Sequence, residues 1–259
     1  NSLRAENVNQ NLLKAIIATE DKHYFSHFGL SLRGILGAIK INISEGRGPL
    51  TGHGGSTITQ QVAKLLCFLN EEKKTEAECR RQTLGRKFLE ALFSVALEMK
   101  FSKEEILSIY LNKVYLGAGT TGFEAASNRY FDKSVTDLNI AEAAMLAGLL
   151  TAPSRYSPTN DLLRSQARAK TVIKLMRDQD VISEMQAEQA LKSPAQLFTD
   201  ESKASGEYLS EWILKAAENE LKNYAFDDLE FQTSFDPDIQ YIVEKSGFKI
   251  FEKFVMQNS

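Results

Sequence analysis

Three short stretches of this 259-residue sequence gather side chains able to do chemistry. The first is Glu20-Asp21-Lys22-His23-Tyr24-Phe25-Ser26-His27-Phe28-Gly29. His23 and His27 are spaced to share one helical face and suit a metal, but Glu20 precedes the first histidine and no third ligand is evident. A carboxylate at a helix end beside aromatic rings suits general-base work, because apolar surroundings raise its pKa towards working pH. A capped helix end with surface acids has the same composition, so this cluster alone leaves its role open.

The second stretch is Gly54-Gly55-Ser56-Thr57-Ile58-Thr59-Gln60-Gln61-Val62-Ala63-Lys64. Glycines lead into a helix start dense in hydroxyls and amides, where free N–H groups and the helix dipole favour an anion such as phosphate. Lys64 follows Gln60 by one turn. The Gly-Lys-Ser/Thr order of a P-loop is absent, and a plain capped helix is the alternative. The third stretch is Arg86-Lys87-Phe88-Leu89-Glu90. Arg86 and Glu90 are spaced for a surface ion pair worth a few tenths of a kcal/mol. Their apolar neighbours Phe88, Leu89, Leu92, Phe93 and Val95 assign much of this helix to the core, with Arg86, Lys87 and Glu90 at the border of a cleft.

Helical periodicity supplies the frame for these stretches. Helices are expected at Leu12–Glu20, Ser31–Ile43, Thr59–Leu69 (capped by Ser56 or Thr57), about Leu84–Lys100, Lys103–Tyr115, Thr121–Arg129, Thr136–Leu150, Asp161–Arg177 and Ser183–Leu191. Ser102 with Glu105, and Ser183 with Gln186, have the spacing of capping boxes. The segment from Glu45 to Gly55 holds five glycines and a proline and reads as a loop. Glu71 to Arg81 is a charge run suited to a solvent-exposed excursion. The texture changes near Ser193-Pro194. A helix from about Glu207 to Leu221, an alternating strand Leu229–Phe235 and a last helix from Pro237 to about Phe254 follow. The expected fold is mainly α, with one domain over residues 1–195 and a smaller α+β piece over 196–259.

Composition is that of a globular chain, 43% hydrophobic and 25% charged, with a formal charge of −3. Residues 199–238 carry eleven acids against three lysines, which leaves the rest mildly basic. That balance suits an anionic substrate better than nucleic acid, which usually wants a stronger basic stripe, and ordinary solvated helices carry the same balance. No apolar run approaches the roughly 20 residues that cross a bilayer. The chain opens on Asn1 rather than Met, so an upstream segment is expected to be missing. Cys67 and Cys79 could pair in an oxidising compartment, which spacing alone does not decide.

Taken together and in order, these motifs resemble the peptidoglycan glycosyltransferases, the transglycosylase domain of class A penicillin-binding proteins and its single-domain relatives. The family's Glu-Asp-x-x-Phe-x-x-His-x-Gly is similar to Glu20, Asp21, His27 and Gly29, with Tyr24 in the Phe place. Its Gly-x-Ser-Thr-Ile-Thr-Gln-Gln matches Gly54, Ser56, Thr57, Ile58, Thr59, Gln60 and Gln61, and its Arg-Lys-x-x-Glu matches Arg86, Lys87 and Glu90. A fourth motif resembles Lys103 to Asn112, followed by Val114-Tyr115-Leu116-Gly117 and Gly122-Phe123-Glu124-Ala125-Ala126. Of a fifth, normally two arginines, Arg168 remains and Ala169 takes the second place. Ser31 and Gly37 also stand where the family often has an acid and an arginine, and Cys67 to Gly85 is a longer connection than usual. Phe231 to Gln240 resembles the segment leading to a transpeptidase domain. Ser246-x-x-Lys249 is a chance match, lacking the later partners of a penicillin-binding site.

The resemblance implies a lysozyme-like, two-lobed helical domain that joins lipid II units into glycan strands by inversion, releasing undecaprenyl diphosphate. It implies Glu20 as base for the acceptor hydroxyl, with Glu90 as a second catalytic residue that orients the neighbouring basic side chains or holds a cation. Ser56, Thr57, Gln60, Gln61, Lys64, Arg86, Lys87, Asn112 and Arg168 would bind substrate. No cofactor is required, though a divalent cation (Mg or Mn) at the diphosphate, beside Glu90, fits the chemistry. Implied partners are lipid II, the growing strand, the membrane surface and other cell-wall synthesis proteins. The implied location is the outer face of the bacterial cytoplasmic membrane, with an N-terminal transmembrane anchor outside this sequence. Two rival readings are a glycan-cleaving hydrolase, which has no use for Lys64, Arg86 and Lys87, and a degenerate scaffold, which the altered positions Gly37 and Ala169 would suit.

Overall fold

The computed structural model describes residues 3–46, 48, 55–67 and 84–198, the side chains of Cys67, Leu84 and Arg86 excepted. The chain divides into two compact units, Asn1–Phe198 and Thr199–Ser259. The second unit lies outside the described residues. So do the expected helix, strand and helix within it, the charge run Glu71–Arg81, most of the glycine loop and Cys79.

The first unit is helical. Its described elements are α1 (Gln10–Glu20), α2 (Leu32–Ser44), α3 (Ile58–Cys67), α4 (Leu84–Lys100), α5 (Lys103–Lys113), α6 (Phe123–Phe131), α7 (Ile140–Leu149), α8 (Pro153–Tyr156), α9 (Leu162–Asp178) and α10 (Glu184–Lys192). Pairing of strands is limited, among the described residues, to two isolated bridges, Phe28 with Leu30 and Tyr115 with Thr121. Local signals set the helix ends. Both expected capping boxes form, Ser102 with Glu105 and Ser183 with Gln186, and a third joins Asn139 to Glu142. The four-residue α8, with Pro153 in its first turn, was not foreseen.

The core is built around α7. Every residue from Ala141 to Leu149 is buried, and α1 and α9 pack on this helix. A helix apolar on all sides belongs inside. Its small residues let neighbours close in: a Cβ at Gly148 would stand 3.0 Å from the Arg168 side chain. A second packing group joins α3 to α4 and α5.

One sequence expectation is reversed here. Phe88, Leu92 and Phe93 of α4 are 65%, 52% and 61% exposed, and Leu89 is exposed beside them, so these apolar residues do not face the core. The buried side of α4 carries Glu90, Ser94 and Glu98 instead. Helical periodicity fixes the angle between two faces but not which of them meets the protein. The inward face closes on polar partners. Glu98 Oε1 accepts from Lys103 Nζ and from Thr59 Oγ1, both at 2.6 Å. Gly29, at φ +75°, lies so close that a Cβ there would be 2.8 Å from the Ser94 carbonyl oxygen. Helix α2 behaves like α4: only Asn42 is buried, while Leu32, Leu36, Ile41 and Ile43 are exposed.

Candidate active site

The site grows from the end of α1. Glu20 is its last residue, half-buried, and Gln61 Nε2 on α3 donates to Glu20 Oε2 at 2.8 Å. Gln179, the residue that follows α9, donates through Nε2 to the Ala18 carbonyl and ties this end of α1 to the core. Burial pushes the Glu20 carboxyl above its ordinary range. The Gln61 N–H and the Arg168 charge oppose that rise, and the neighbouring Asp21 charge adds to it. A carboxylate so placed holds a proton more readily than an exposed one, which is the property a base at neutral pH needs.

Asp21, next in sequence, serves architecture. It is buried, meets His27 Nε2 through both oxygens at 2.9 and 3.0 Å, and accepts from the Ile58 backbone N–H at 3.0 Å. An acid at the start of α3 satisfies a free N–H and suits the helix dipole. His23 lies outside any α-helix, as the residue preceding the 3-10 turn Tyr24–Ser26, so the two histidines do not share a helical face. Among the described residues no group of three metal-ligating side chains converges.

The start of α3 is locked by its own side chains. Thr57 N–H donates to Gln60 Oε1 at 2.9 Å and Gln60 N–H donates to Thr57 Oγ1 at 3.1 Å, a reciprocal cap. Thr57 Oγ1 also donates to the Gly29 carbonyl at 2.6 Å. Both side chains are buried, and they shape the loop before α3. Gly55 allows this loop to touch α2, where a Cβ would be 2.6 Å from the Gly34 carbonyl oxygen.

Ser56, Lys87 and Glu90 come together. Lys87 Nζ donates to Ser56 Oγ at 2.7 Å and lies 3.2 Å from Glu90 Oε2. Lys87 is half exposed while Glu90 is buried, so the acid holds the ammonium from behind. The second and third sequence stretches thus meet in one polar junction between α3 and α4. Lys64 is exposed on the last turn of α3. The Arg86 side chain lies outside the described residues.

Arg168 sits on α9, half-buried, its Nη2 donating to Thr151 Oγ1 at 2.7 Å and its guanidinium 5.8 Å from the Tyr156 ring centre. Among the described residues its buried Nε has no hydrogen-bond partner. Asn112 stands apart from this group. Its amide grips the entering chain, Nδ2 donating to the Leu3 carbonyl at 2.8 Å and Oδ1 accepting from Leu3 N–H at 2.9 Å. Of the unusual positions, Ser31 caps α2 by accepting from Gly34 N–H, Ala169 is buried in the core, and Gly37 has open space around it.

Sequence reasoning passed over Tyr110. Its hydroxyl, fully buried on α5, donates to Gln61 Oε1 at 3.1 Å and is the back support of the Glu20–Gln61 contact. A tyrosine within an apolar helical pattern reads as core, and its polar end is assigned only by a contact 49 positions away.

A family model described as transglycosylase matches residues 1–177. Penicillin-binding protein 1A of Aquifex aeolicus is 35% identical over 93% of this chain and 32% of its own length. The protein of the same name from Neisseria lactamica is 39% identical over 78% and 24%, and penicillin-binding protein 2D of Bacillus subtilis 33% identical over 93% and 34%. The chain therefore spans about a third or less of these curated relatives. A solved structure of penicillin-binding protein 1A from Haemophilus influenzae is similar at 26% identity and a TM-score of 0.35, over 61% of this chain and 20% of that one. The family model covers most of the first unit and includes Glu20, Lys87, Glu90 and Arg168, and on that ground the chain belongs to the transglycosylase family, the peptidoglycan glycosyltransferase domain of class A penicillin-binding proteins.

Proposed function

We propose that this domain polymerises lipid II with inversion at the anomeric carbon, Glu20 acting as the base. Glu20 takes the proton of the acceptor 4-hydroxyl as that oxygen attacks the anomeric carbon of the donor strand. The new glycosidic bond forms as the bond to undecaprenyl diphosphate breaks, and the diphosphate leaves as an anion that needs charge rather than a proton. Lys87, Lys64 and Arg86 supply that charge from the α3–α4 side. Arg168, with its unmatched Nε–H, supplies it from α9. Glu90 keeps Lys87 in place, and it is the carboxylate that would hold a divalent cation against the diphosphate if one takes part.

The observation that carries this reading is the half-buried Glu20 carboxylate, raised by burial and oriented by Gln61. Its test is Glu20→Gln. Polymerisation of lipid II falls by about 10²- to 10⁴-fold while the melting temperature does not drop. Turnover near the wild-type rate in a folded Glu20→Gln protein removes Glu20 as the base. Release of muropeptides from purified cell wall by the wild type would favour hydrolysis over transfer.

The lipid-linked substrate places the domain at the outer face of the cytoplasmic membrane. Its support is the apolar surface of Phe25, Phe28, Leu36, Ile43, Phe88 and Phe93, exposed on or beside α2 and α4. Such a surface suits the boundary between lipid headgroups and acyl chains. No helix among the described residues is long and apolar enough to cross a membrane.

A further inference from the structure

A glutamine amide has a donating end and an accepting end, and between two partners it can sit either way round. Gln61 lies between Glu20 and Tyr110, its Nε2 on the carboxylate at 2.8 Å and its Oε1 on the phenol at 3.1 Å. With Glu20 ionised, only this orientation works, because the reverse would set a carbonyl oxygen against a carboxylate. With Glu20 protonated, the reverse is also allowed: the acid could donate to Oε1, and Nε2 could donate to the Tyr110 oxygen. The difference between the two states therefore depends on whether something outside the pair prefers the carbonyl end.

Tyr110 is that preference. It is fully buried, and Gln61 Oε1 is its hydrogen-bond acceptor. A phenol whose proton has one acceptor in reach donates to it rather than leave a buried donor unmatched. We propose that Tyr110 is a positioning residue for Glu20: by donating to the Gln61 carbonyl it fixes the amide so that its N–H faces the candidate base. Tyr110 touches no reacting atom. Its value for turnover rests on Glu20 being the base.

Among the described residues the groups facing Glu20 are few. Asp21 adjoins it in sequence, Gln61 comes from α3, Tyr110 from α5 through Gln61, and the Arg168 charge from α9. Asp21 is held by His27 and Ile58, and Arg168 by Thr151, so neither changes partner when Tyr110 is altered. Gln61 is the contact that Tyr110 controls.

The test reads Glu20 directly, through the pH titration of its carboxyl ¹³C signal in the whole chain without substrate. In Tyr110→Phe the midpoint moves upward, because burial is then less opposed. On a Gln61→Leu background the same substitution adds no further shift. A fluorinated tyrosine at position 110, a stronger donor in an unchanged ring, moves the midpoint downward and serves if Tyr110→Phe does not fold. An unmoved midpoint in either folded variant, or an equal shift with Leu at position 61, overturns the proposal. Lipid II turnover follows the titration, with kcat/KM in Tyr110→Phe falling roughly tenfold on the acidic side and recovering as pH rises. A purely structural role would instead lower turnover evenly at all pH values and overturn the proposal. A midpoint that moves without any change in turnover leaves Tyr110 as the positioning residue and removes Glu20 as the base.

Discussion

Helices α7 and α4 are both rich in apolar residues, yet they sit in the molecule in opposite ways. Helix α7 is buried all round, between α1 and α9. Helix α4 shows its phenylalanines to the outside and turns Glu90, Ser94 and Glu98 inward. One holds the fold by hydrophobic burial. The other turns polar groups inward, with Leu97 packed against the core, and leaves its phenylalanines exposed. Stability and apolar content are therefore separable here, and substitutions can pull them further apart.

The largest expected effect lies on the inward polar face of α4. Glu98→Ala leaves Lys103 and Thr59 without their shared acceptor, and breaking a buried pair costs roughly 3–5 kcal/mol. Thermal melting checks it. A fall much smaller than that of a core truncation would mean that α4 is not held by its polar side. In α7, Leu146→Ala removes a fully buried side chain and costs about 2–5 kcal/mol on the same measurement. The smallest effect on stability belongs to Leu92→Ser with Phe93→Ser, exposed positions where changes stay within about 0.5 kcal/mol each. Their effect is read instead by flotation with anionic lipid vesicles, where binding is expected to drop. A large loss of stability with unchanged vesicle binding would assign that face to the protein's own packing.

The same contrast marks how far the sequence could be read. Helix positions and two capping boxes were legible, because propensity and caps are local. Glu20, Ser56, Lys87 and Glu90 stand out in the sequence as candidates by motif spacing and resemblance, and the structure brings the last three together. The inward face of α4 was not legible, since an amphipathic pattern carries no sign saying which side meets water and which meets protein. Thr57, Gln60 and Asn112 enter as substrate ligands through the resemblance alone, and the contacts that Thr57, Gln60 Oε1 and Asn112 make within the chain were not legible from it. Tyr110 was invisible because its hydroxyl acquires meaning only where α5 meets α3.

Asp21 deserves a last consequence. It shares a peptide bond with Glu20 and receives the first N–H of the helix that bears Gln61. The acid and the amide that steers it are thus referenced to one fixed point, like two jaws cut from the same block. Substitutions among the exposed residues of α2 and α4 are therefore expected to leave the spacing of Glu20 and Gln61 unchanged.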